Sequence, residues 1–139
     1  MVKLLPMTNE EKYSFWLDHA QYDLATAEAM FTSGRWFYVV FMSQQAIEKL
    51  VKGLYTLYVD DDVPRVHNIK AIIERFEDKL TRPVPVEHYL FFNMLSAHYL
   101  NNRYPDFINK LSGQIKKDEA HKILQQTKET FAWLLTLKP

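Results

Sequence analysis

Cysteine is missing from the 139-residue sequence, which excludes a disulfide framework and any thiolate metal site. Only three glycines occur, and they are scattered, so no glycine-rich phosphate loop can be assembled. An excess of charge is missing too: 17 Lys+Arg balance 17 Asp+Glu, for a formal net charge of zero. That balance argues against a protein that coats DNA through overall basicity, while leaving room for a local basic patch. There is no Glu-x-x-His pair of the kind that builds a di-iron bundle. The histidines at 19, 67, 88, 98 and 121 include no pair at i, i+4 spacing. No metal and no cofactor are therefore expected, and no Ser/His/Asp or Cys/His constellation is supported. The opening MVKLLPMTNEEK has too short an apolar run for a secretory signal. No membrane span is expected, and a cytoplasmic protein is the default.

What the chain does have is apolar and aromatic material, 47% and 14% of its residues, enough for a real core. A chain of this length suits one domain, residues 1–139, burying roughly two-thirds of its unfolded surface. The organising stretch is 36–58, WFYVVFMSQQAIEKLVKGLYTLY. Its apolar residues keep three- and four-residue steps nearly all round, which describes a helix covered on most sides by other helices. Ser43-Gln44-Gln45 and Glu48-Lys49 interrupt it, so it should not cross a membrane. Its one polar stripe is narrow: Gln44, Gln45, Glu48, Lys49 and Lys52. Small residues at 43, 46 and 53 fall near one ridge. Gly53 lowers helix propensity by roughly 1 kcal/mol against Ala, so a packing requirement is expected there.

Around this stretch the pattern predicts an all-α, up-and-down antiparallel bundle of about five helices, near 9–32, 36–58, 67–80, 86–101 and 117–137. Thr8 and Glu11 form a capping box for the first, whose inward face runs from Tyr13 through Trp16, Leu17, Ala20, Leu24 and Ala27 to Phe31. Asp18, Gln21, Asp23 and Glu28 are expected to be mostly solvated. Gly34 supplies a left-handed stop, and the short connection makes the first two helices antiparallel neighbours. Asp60-Asp61-Asp62 and Pro64 read as a solvated turn, since a Ca²⁺ loop needs a longer, spaced ligand set. Residues 69, 72, 73, 76 and 80 form the third apolar face, and Leu90, Phe91, Met94, Leu95 and Tyr99 the fourth. Pro105 stops the fourth helix, and 107–114 reads as a loop. The last helix turns Ala120, Ile123, Leu124, Thr127, Phe131, Leu134 and Leu135 inward.

Five motifs in order carry a resemblance. Trp16-Leu17-x-x-Ala20-x-x-Asp23-Leu24 and Gln44-Gln45-Ala46-x-Glu48-Lys49-x-x-Lys52-Gly53-Leu54 resemble the HEPN family of bacterial and archaeal helical proteins. His67-Asn68-Ile69, Arg103-Tyr104-Pro105-Asp106 and the tail from Lys117 are similar to that family's third-helix start, Arg-Tyr-Pro signature and last helix. The resemblance spans residues 12–138. It implies a five-helix bundle, often a homodimer, whose relatives are commonly encoded beside a minimal nucleotidyltransferase in two-component or toxin–antitoxin pairs. Many members are RNases with an Arg followed four to six residues later by a His; others bind nucleotides. Here no histidine follows Arg103. His98 precedes it, and Arg82–His88 straddles a Pro-Val-Pro break and is treated as a chance match.

Three functions compete. The first is a non-catalytic module that binds a nucleotide or RNA and a nucleotidyltransferase partner. Its anion site would comprise Arg103, Tyr104, Asn102 and Asp106 beside Gln45, Lys49 and Lys52. Arg suits phosphate with its planar fork, and Tyr offers a ring for a base. The competing structural role has Arg103 capping carbonyls at a helix C-terminus. The second function is a divergent RNase in which His98 works as acid or base and Arg103 clamps phosphate. The third is a pure interaction scaffold.

Overall fold

The computed structural model describes residues 7–101 and 115–139. They form α1 (Asn9–Thr32), α2 (Trp36–Tyr58), α3 (Ile69–Glu74), a 3-10 turn (Glu77–Lys79), α4 (Val86–Asn101) and α5 (Lys117–Leu135). No strand occurs among the described residues. The bundle is all-α, up-and-down and antiparallel, and α2 packs against each of the other described α-helices.

Local chemistry sets the boundaries. The Thr8 hydroxyl accepts from the Glu11 amide and the Glu11 carboxylate accepts from the Thr8 amide, both at 3.1 Å. This is the expected capping box. Gly34 adopts φ +75°, so α2 can turn back along α1 after a short connection. The third helix is shorter than the periodicity predicts. Asn68 caps it by accepting from the Ala71 amide at 3.0 Å, and its apolar face continues past Glu74 through the 3-10 turn to Leu80. His67 and Asn68 therefore lie before the helix, not in it.

The core is built on α2, the most buried helix, with Ile47, Leu50, Val51 and Leu54 fully enclosed. Gly53 has the packing reason its presence suggested. A Cβ there would lie 3.0 Å from the Trp16 Cβ and 3.4 Å from the Tyr13 ring, so the glycine lets α1 and α2 approach closely. Two inward assignments are corrected. Leu90 is 64% exposed and Leu135 37% exposed, while Phe92 is fully buried. The fourth helix is apolar on nearly all sides, so spacing alone does not choose its inner face. The side chain of Tyr99 and the loop expected at 107–114 lie outside the described residues.

Candidate functional site

Gln44, Glu48 and Lys52 recur every four residues and share one face of α2. That face is sunk in the protein: Gln44 is fully buried, Glu48 is 4% exposed and Lys52 is 8% exposed. A charge removed from water is destabilising by several kcal/mol unless it is paired and hydrogen-bonded, and each of these groups has partners. Gln44 donates to Glu48 Oε1 at 2.8 Å, and Lys52 Nζ donates to Glu48 Oε2 at 2.9 Å. Gln45 donates to Gln44 Oε1 at 2.8 Å. His67 Nδ1 stands 3.3 Å from both Glu48 oxygens, and the His67 carbonyl accepts from Gln44 at 3.4 Å. Two residues on, the Ile69 amide donates to Ser96 Oγ at 3.3 Å, which ties this segment to the C-terminal half of α4.

A second ion pair flanks the first. Lys49 Nζ lies 2.6 Å from Asp23 Oδ2. Asp23, expected to be solvated, is 7% exposed. Its position on α1 faces the polar stripe of α2, and the lysine makes that burial tolerable.

Beyond Lys52 the network opens into a cleft of about 440 Å³, lined by Lys12, Trp16, Lys52, Thr56, Asp61, Asp62, Val63, Pro64 and Arg65. Lys52 Nζ is 5.9 Å from the centroid of the Trp16 ring, within cation–π range. Asp61 accepts the amide of Asp62 at 2.7 Å, which shapes the turn. The three aspartates are exposed as expected, but Asp61 and Asp62 also form one wall of this cleft.

Of the sequence-predicted binding residues, Gln45, Lys49 and Lys52 take part in this polar face, and both lysines are already paired with carboxylates. Asn102, Arg103, Tyr104 and Asp106 lie outside the described residues. His98 is partly buried, and its Nδ1 has no hydrogen-bond partner among the described residues. Desolvation lowers its pKa against a weaker opposing pull from Glu119, which favours the neutral ring. His88 stacks on Trp133 with centroids 4.1 Å apart, and burial lowers its pKa as well. The described residues contain no group of three or more His, Asp or Glu able to hold a metal ion. No described helix is long and apolar enough to cross a membrane. Sequence reasoning missed Asp23, Lys12, Trp16 and Arg65 as site residues. The four-residue repeat of Gln44, Glu48 and Lys52 was visible, but nothing in the chain announced which distant residues would meet it.

These features define a helical-bundle protein with a polar site set into its central helix. The sequence matches the model of the HEPN domain over residues 13–137, and the chain belongs to that family. Two solved structures share the fold. TT1696 from Thermus thermophilus superposes with a TM-score of 0.76 at 22% identity, covering 90% of this chain and 97% of that one. ST0689, described as an archaeal HEPN homologue, superposes with a TM-score of 0.72 at 24% identity, covering 91% and 98%. At such identities the likeness establishes architecture alone. No curated protein matches the sequence.

Proposed function

We propose that this protein is a non-catalytic HEPN module that binds a nucleotide or an RNA element through the polar face of α2 together with residues 102–106. It acts as a homodimer beside a minimal nucleotidyltransferase, in a toxin–antitoxin or two-component pair. The observation that carries the reading is the buried chain Gln44–Glu48–Lys52, with half-buried Gln45 and His67 against it. A bundle core is more simply filled with apolar side chains, and replacing buried ion pairs by such residues is often neutral or stabilising. A polar chain maintained there, and ending at a cleft with further cations, points to a ligand. Arg103 follows shortly after Ser96 in the chain, and Ser96 is bonded to the segment that carries His67. The non-catalytic part rests on the sequence, in which no histidine follows Arg103 at the RNase spacing.

Arg103→Ala tests the reading. Binding of ATP and of a short single-stranded RNA, measured by calorimetry, should weaken by ~1.5–3 kcal/mol, the range for a hydrogen bond to a charged group. The melting temperature should not change. A destabilised variant with unchanged affinity would make Arg103 a helix cap. RNA turnover by the purified protein, abolished in the same variant, would replace this reading with the His98–Arg103 RNase. Co-expression with a nucleotidyltransferase encoded alongside should give a complex that survives gel filtration, and two separate peaks would remove the partner.

A further inference from the structure

The cleft at the end of the polar chain combines three kinds of surface. Trp16 lines it with an indole whose Nε1 is buried and over which Lys52 Nζ lies 5.9 Å from the ring centroid, and Val63 and Pro64 add apolar lining. Lys12 and Arg65 supply positive charge, and neither forms an ion pair among the described residues. Lys12 stands near the start of α1, whose first turn already carries the carboxylates of Glu10 and Glu11, so the positive charge at the cleft comes from the side chains and not from the helix end. Lys52 is different, because Glu48 already holds it. Asp61 and Asp62, from the same segment as Arg65, add two carboxylates to the lining.

We infer that this cleft is a binding site for a ribonucleoside monophosphate: its base lies against Trp16, its phosphate between Lys12 and Arg65, and its ribose hydroxyls on Asp61 and Asp62. The inference rests on the nucleotide-binding reading above and places a nucleotide at the Lys52 end of the polar face, held by residues other than Arg103. Each wall has its chemical reason. Indole rings stack on nucleobases whatever their identity. Arg and Lys take phosphate. An ionised carboxylate only accepts hydrogen bonds, which suits a vicinal diol and repels a second phosphate. The size agrees, since small-molecule sites run from about 300 to 1,000 Å³. The exposed run Asp60-Asp61-Asp62 opposes a longer strand passing over the same wall, so one nucleotide fits this charge pattern better than a polymer. An aspartate-bound metal is a poorer occupant, because the described residues contain no cluster of metal-binding side chains.

The test is calorimetric titration of the full chain with adenosine 5′-monophosphate, its 2′-deoxy counterpart, adenosine and inorganic phosphate, with Trp fluorescence followed in parallel. The monophosphate should bind most tightly and quench fluorescence, and Trp16→Phe should remove that quenching. The deoxy compound should bind more weakly, and Asp61→Asn with Asp62→Asn should erase the difference. The surface double variant K12A/R65A should lose roughly tenfold or more in affinity with unchanged circular dichroism. If the wild type binds nucleotide and the double variant binds it equally, the cleft assignment falls while the nucleotide reading stands. If inorganic phosphate binds as well as the monophosphate, the cleft is an anion site and the ring and ribose contacts are wrong. If the wild type binds neither nucleotide nor RNA, the functional reading fails and the cleft fails with it.

Discussion

Glu48 is the residue on which the polar face depends. It accepts from Gln44 and Lys52 and stands against His67, while almost wholly buried. Removing it leaves the Lys52 ammonium without an ion-pair partner among the described residues, with the Trp16 ring 5.9 Å away, and takes a partner from Gln44. Breaking one side of a buried ion pair is destabilising by about 3–5 kcal/mol, so Glu48→Ala should lose an amount near the lower end, because Lys52 keeps some contact with water. Lys52→Met should lose less, because its butyl stem is replaced by apolar bulk. In a double-mutant cycle measured by urea unfolding, the two changes together should fall short of their sum by ~1 kcal/mol or more. Additive losses would mean that the pair is not coupled and that the 2.9 Å contact contributes nothing.

At the scale of the element, α2 has two opposed duties. It must fill the core and it must present a polar face, and Gly53 serves both by bringing α1 close. Ala at that position would raise helix propensity by about 1 kcal/mol. The added methyl would meet the Trp16 Cβ at 3.0 Å, a stem atom that cannot move without α1, and overpacking of this kind is destabilising by ~1–3 kcal/mol. Gly53→Ala should therefore lower stability by about 1 kcal/mol net. Because Trp16 also lines the cleft, the same change should alter Trp fluorescence. A variant more stable than wild type would show that α1 yields freely. The third helix illustrates the opposite case: six residues capped by Asn68 hold only because Ile69, Ile72 and Ile73 are fully buried.

At the scale of the whole molecule, the exposed apolar residues bear on assembly. Val86 and Leu90 are one turn apart on α4, and both are exposed. Single exposed apolar residues are ordinary, but an adjacent pair on a mostly apolar helix supports the proposed two-fold dimer, whose interface should bury more than ~1,000 Å² in total. Sedimentation velocity at tens of micromolar should give a dimer. Leu90→Lys should shift it toward monomer while barely changing the melting temperature of the monomeric fold, since the side chain contributes little to the core. A wild-type protein that sediments only as monomer at that concentration would count against the dimer.

The long helices were legible in the chain because their determinants are local. The Thr8–Glu11 box, the positive-φ glycine at 34 and the three- and four-residue steps of 36–58 act within one or two turns, and α1 and α2 lie where those signals place them. The family was legible too, through motifs that keep their order along the chain. Other features depend on distance in space and not on spacing in sequence. Periodicity shows that α4 is apolar but not which side another helix covers, so Leu90, expected inward, is exposed, and Phe92, not assigned to that face, is buried. The polar stripe of α2 was visible as a stripe, yet its burial was settled by neighbours: Asp23 on α1 meets Lys49, and His67, from the segment beyond the end of α2, folds back against Glu48. Likewise the cleft takes Lys12 and Trp16 from α1, Lys52 from α2 and Arg65 from the segment that follows it. A charge pair across helices leaves no periodic trace in either one, and a cleft is the space between surfaces that only packing brings together.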